Sequence, residues 1–90
     1  MSAVAQSIRD KLSAAFAPTR LEVVDDSARH HGHAGARPGG ESHFNLEIES
    51  AHFEGLSRVA RQRAVLTALA EELAGPVHAL SIQARAPGEG

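Results

Sequence analysis

Val4, Ile8, Leu12, Ala15 and Phe16 recur at helical spacing behind Ser2, a residue type that caps helices. Pro18 disfavours helix at Ala17, so residues 2–16 read as one amphipathic helix. Leu21-Glu22-Val23-Val24 is apolar and β-branched enough for a short strand, and the turn formers Asp25-Asp26-Ser27 end it. Phe44, Leu46 and Ile48 then alternate with Asn45, Glu47 and Glu49, which predicts a strand over 42–50 with one wet face. Phe53-Glu54-Gly55-Leu56 reads as a turn or a single helical turn. Ser57 can cap a helix through Ala74 whose apolar face is Val65, Leu66, Leu69 and Leu73, and Gly75-Pro76 terminates it. A last alternation of Leu80, Ile82 and Ala84 against Ser81, Gln83 and Arg85 predicts a strand over 77–85, and Pro87-Gly88-Glu89-Gly90 reads as a frayed, disordered tail.

Two strands that meet through a loop are most simply antiparallel, whereas the second helix lets the third strand return in either sense. One sheet face collects Phe44, Leu46, Ile48, Leu80 and Ile82, and two amphipathic helices need an apolar partner. Both helices should cover that face, which makes the fold class α+β, a two-layer sandwich.

Residues 28–40, ARHHGHAGARPGG, break the periodicity: four glycines, one proline and three histidines follow no apolar repeat. They predict a long flexible loop, and loops of that length in a compact domain are usually functional.

Composition narrows the possibilities. Ninety residues, 42% apolar residues and a net charge of −2 describe one small globular domain spanning 1–90. No apolar run approaches a membrane span, and the first residues lack the apolar stretch of a signal peptide. The expectation is a cytoplasmic protein with no membrane contact, its isolated chain a monomer. Six histidines stand against no cysteine, which excludes both disulfide staples and a Cys-rich zinc site. No GxSxG, GxxxxGK[ST] or HExxH motif is present, and the Gly-rich loop does not open a helix, so the chain does not read as an enzyme and offers no catalytic residue.

The histidines are therefore the candidate chemistry. His43 belongs by parity to the wet face of its strand and His52 to the following turn, so both read as surface residues. His78 shares parity with Leu80 and Ile82, which turns it toward the helix-covered side. His30, His31 and His33 lie on the glycine loop, where neutral imidazoles can reach a metal without strain. Neighbouring loop histidines rarely converge on one ion, so the supply is one loop histidine plus a fixed one such as His78. That leaves half a coordination sphere to a partner or cofactor. A competing class is nucleic-acid binding through Arg58, Arg61 and Arg63 on the first turns of the last helix, although one lysine and a negative net charge provide no global electrostatic footprint.

Four blocks in order, LEVVDDS, GGESHFNLEIES, FEGLSRVARQRAV and LAEELAGPVHALSIQA, resemble the BolA family over about residues 8–86. The resemblance implies an α-β-β-α-α-β order with a three-stranded mixed sheet, similar to a class II KH domain but without its GxxG loop, since Gly55-Leu56-Ser57-Arg58 stands there. It also implies pairing with a monothiol glutaredoxin and co-ligation of a shared [2Fe-2S] cluster. Glutaredoxin and glutathione would each bring a thiolate to that cluster. This chain would bring a C-terminal histidine, matching His78, and a loop histidine, with His30 favoured by its distance from the DDS block and His33 by its Gly32-Ala34 context. On this reading the isolated chain binds no cofactor of its own. The family also contains transcriptional regulators, which adds weight to DNA as a partner of the Arg-bearing helix. Arg61-Gln62-Arg63 replaces the family's usual Arg-His-Arg, so no role of that middle histidine carries over.

Overall fold

The computed structural model describes residues 3–25, 43–75 and 77–89. Helix α1 (Ala3–Phe16) is followed by strands β1 (Arg20–Asp25) and β2 (His43–Glu49) and a 3-10 turn at Ala51–Phe53. Helices α2 (Arg58–Ala68) and α3 (Ala70–Ala74) then lead to strand β3 (Ala79–Arg85). The sheet order is β1-β2-β3, with β1 and β2 antiparallel and β2 and β3 parallel. The expected α+β class and mixed three-stranded sheet are therefore found, and the sense of the third strand, open in the pattern alone, is parallel to β2.

The central strand explains the clean alternation of its sequence. Phe44, Leu46 and Ile48 are buried while His43, Asn45, Glu47 and Glu49 are half-buried on the opposite face. Against the buried face pack Ile8, Leu12 and Phe16 of α1, Val65 of α2, Leu69 between α2 and α3, and Phe53 from the 3-10 turn. Two details of the expected helix faces differ. Ala15 is exposed and Ala5 takes a buried place, and Leu66 points outward at 38% exposure. Ser57 caps α2 as expected, accepting from the Ala60 N–H at 3.1 Å. The single helix expected through Ala74 is interrupted at Leu69, whose φ of −106° and ψ of 20° leave the helical region, and α3 begins at Ala70.

Ser50 joins both ends of this architecture. It is fully buried, donates its hydroxyl to the Phe16 carbonyl at 2.6 Å and accepts from the His52 N–H at 3.1 Å. Its own N–H donates to the Arg85 carbonyl at 3.0 Å, so one residue ties the end of α1 to the ends of β2 and β3.

The segment after β3 overturns the expected frayed tail. Ala86-Pro87-Gly88-Glu89 closes a turn in which the Glu89 N–H donates to the Ala86 carbonyl at 3.1 Å and Gly88 has φ of 88°. Proline and then a left-handed glycine at the two central positions is the pattern of a type II turn. Its consequence is that Glu89 is held back against α2. The expected loop over 28–40, Pro76 and Gly90 lie outside the described residues.

Candidate functional site

Three strand ends meet at one rim of the sheet. Asp25, the last residue of β1, pairs with Phe44, so the chain leaves the sheet beside the start of β2. Because β3 runs parallel to β2, its first residue Ala79 stands opposite His43. His78 precedes Ala79 directly and therefore sits at the same rim. Val77 fixes this position from behind: its side chain is buried and its N–H donates to the Glu72 carbonyl at 3.0 Å.

His78 is exposed, which corrects the expectation that it turns toward the helix-covered side. Strand alternation does not extend to it, because β3 begins one residue later and no pleat fixes its direction. His30, His31 and His33 fall within 26–42, outside the described residues, but the residues bracketing that segment, Asp25 and His43, both belong to the His78 rim. His43 is the residue that the sequence undervalued. Read as one more surface histidine, it stands opposite Ala79, the residue that follows His78, and so shares the rim. His52 lies at the other end of β2, exposed and edge-on to Phe16 at a centroid separation of 6.2 Å.

Among the described residues no three His, Cys, Asp or Glu side chains gather as a metal cage. At the rim the side chain that could ligate a metal is His78, an exposed imidazole just before β3 that by itself would make up only part of a coordination sphere. That donor set suits a cluster whose remaining ligands arrive from elsewhere.

The arginines divide differently. Arg58 and Arg61 line a groove of about 490 Å³ between the start of α2 and β3, together with Leu56, Gln62, Gln83 and Arg85. Arg63 is exposed and is not part of that lining. Arg61 is already engaged: its Nε donates to the Leu56 carbonyl at 3.0 Å, Nη1 to the Ala84 carbonyl at 3.3 Å, and both terminal nitrogens to the Glu89 carboxylate at 2.6 and 2.8 Å. On the open sheet face Glu47 is held below the usual carboxylate range, first by a hydrogen bond with Glu22 and then by the bond from Arg85 at 2.7 Å.

A family model described as BolA-like protein matches residues 12–89. The chain belongs to the BolA-like family. Human BolA-like protein 1 is 51% identical over 86 residues, a match covering 96% of this chain and 60% of the human protein. The DNA-binding transcriptional regulator BolA of Escherichia coli (strain K12) is 44% identical over 79 residues, covering 88% of this chain and 71% of the regulator. Among solved structures, the BolA domain of SufE1 from Arabidopsis thaliana superposes with a TM-score of 0.88 at 42% identity, covering 100% of this chain and 99% of that domain. The BolA-like chain spans about 60% of the length of the mammalian relatives it matches. Among its described residues no helix is long and apolar enough to cross a membrane.

Proposed function

We propose that this BolA-like chain is an adaptor or regulator in iron–sulfur cluster handling, pairing with a monothiol glutaredoxin and co-ligating a shared [2Fe-2S] cluster through His78 and one of His30 and His33. The observation that carries the reading is the convergence at one rim: exposed His78 stands where the segment holding His30 and His33 leaves and rejoins the sheet. The resemblance to the BolA family implies the partner, and the absence of cysteine from the chain suits ligation by imidazole, with thiolates brought by glutaredoxin and glutathione. Exchanging thiolate for imidazole on one iron leaves a cluster less anionic and raises its reduction potential. The chain's own part is to hold His78 at the start of β3 and to supply one of the loop histidines to the same cluster. This role requires no catalysis, and the proposal takes the cytoplasm as its compartment.

The test is spectroscopic. Adding the protein to a cluster-loaded monothiol glutaredoxin should change the visible absorption and circular dichroism. The change should be lost in His78→Ala and in whichever of His30→Ala and His33→Ala removes the loop ligand. An unchanged spectrum, or a change that survives His78→Ala, overturns the assignment, and a change abolished by His43→Ala but by neither loop variant moves the second ligand to β2.

A second reading, DNA-binding regulation through Arg58, Arg61 and Arg63, draws support from the name of the E. coli relative. The placement of the arginines favours it less, since Arg63 lies off the groove that Arg58 and Arg61 line. It predicts duplex binding that falls steeply with salt, with a shallower slope when Arg58 is replaced. No binding above background at about 50 mM salt removes it.

A further inference from the structure

The first turns of α2 concentrate positive charge. The first turn holds no acidic residue, and Arg58 and Arg61 stand at the helix end where the backbone dipole is itself positive. This arrangement opposes helix stability and favours an anion. One anion is already seated. The Glu89 carboxylate takes both terminal nitrogens of Arg61 and, at 3.1 Å, the Ala86 N–H. The Pro87-Gly88 turn aims it there, so the carboxylate is positioned before any partner arrives.

We infer that the groove between α2 and β3 is a receptor site for a carboxylate-bearing, extended segment of a partner protein, with Glu89 a built-in competitor that the segment displaces. Three features select an acidic peptide over a nucleic acid. The seated group is a carboxylate, bound in the fork geometry that arginine offers carboxylates, with a backbone N–H completing the site. The chain has no Tyr or Trp, Phe16, Phe44 and Phe53 are all buried, and the groove lining holds no aromatic ring to stack on a base. β3 is an outer strand of the sheet, the kind of element along which an extended peptide docks. The groove lies toward the Arg85 end of β3 and the histidine rim at its start, so this proposal and the cluster reading fail or stand separately.

Fluorescence anisotropy with a fluorescein-labelled peptide of alternating Glu and Val tests the inference at low salt. Glu89→Gln should bind about tenfold more tightly than the unaltered protein, the effect of removing one charge-assisted competitor. Gly88→Ala keeps the carboxylate but strains the turn at φ 88°, and should shift affinity in the same direction by less. The gain should vanish when Arg61→Gln or Arg58→Gln is added to Glu89→Gln, and Glu71→Gln, which removes an equal charge at the Lys11 contact, should not reproduce it. An unchanged affinity in Glu89→Gln, an equal gain in Glu71→Gln, or a gain kept in both arginine double variants overturns the proposal. A gain seen only with a labelled single-stranded oligonucleotide overturns it in favour of nucleic acid.

Discussion

Glu72 of α3, 8% exposed, is met by the Lys11 ammonium of α1 at 2.8 Å. The Ser7 hydroxyl, one turn earlier on α1, donates to the same carboxylate at 2.8 Å. A five-residue helix has little stability of its own, so this contact, with Leu69 and Leu73 packed on the core, helps dock α3 on α1, and the Val77 N–H on the Glu72 carbonyl ties α3 to the approach to His78. Burial pushes the Glu72 pKa up, but the bonds from Lys11 and Ser7 outweigh it and the net shift is downward. The carboxylate's contribution is thus present above the ordinary carboxylate value and lost as pH falls through the depressed one. Glu72→Gln should cost about 1–3 kcal/mol near neutrality by removing charge-assisted bonds to a buried oxygen. Urea titrations at neutral and acid pH check both parts: the deficit of the variant should shrink on the acid side.

Ser50 is a second structural junction with no functional atom of its own. Ser50→Ala leaves the Phe16 carbonyl and the His52 N–H without their shared partner in a fully buried place. The expected loss is about 1–3 kcal/mol, the cost of orphaning buried polar groups. Thermal unfolding should show it, while the spectral response to a loaded glutaredoxin, which depends on the opposite rim, should persist at temperatures where the variant is folded.

What could be read from the chain followed local physics. Phe44, Leu46 and Ile48 announced β2 because a central strand with one covered face imposes period two on its side chains. Ser57 announced the start of α2 because its hydroxyl has a local partner three residues on. The break at Leu69 was not legible, since Thr67-Ala68-Leu69-Ala70 holds no glycine or proline, and the residue that leaves the helical region is one buried in the core. The Pro87-Gly88 pair did signal a turn, yet whether that turn frays or docks depends on Arg61, 28 residues earlier. The same limit applies at the rim. His78 and the loop histidines could be picked out singly, but the place of His43 on the same rim follows from a parallel register that no short-range pattern encodes, and the exposure of His78 from a strand that begins one residue after it.

Ala17 closes α1 in a conformation that suits another residue. Its φ is 43°, and its N–H donates to the Ser13 carbonyl at 3.1 Å, the arrangement of a left-handed helix cap. Alanine pays about 1–2 kcal/mol to occupy that region, while glycine loses more entropy on folding. The balance predicts that Ala17→Gly stabilises the protein by up to about 1 kcal/mol, since Ala17 is exposed and loses no packing. Chemical denaturation with an unchanged slope would report it directly, and a lower midpoint would show that the left-handed cap is not populated.

The pairing of Glu89 with Arg61 gives a pH signature distinct from that of Glu72. Hydrogen bonds from Arg61, with a further one from the Ala86 N–H, hold the Glu89 pKa at about 2, well below its ordinary 4.5. A depressed carboxylate stabilises the folded chain fully above its unfolded value and ceases to do so as pH falls through the folded one. The difference in melting temperature between the protein and Glu89→Gln should therefore stay constant above about pH 5 and close between there and the folded pKa. A side-chain carboxyl titration by NMR should place Glu89 at the low end of all glutamates, with the Arg61 Nε–H resonance moving in step. If Glu89 titrates near 4.5 with no linked change at Arg61, the turn does not seat its carboxylate on α2.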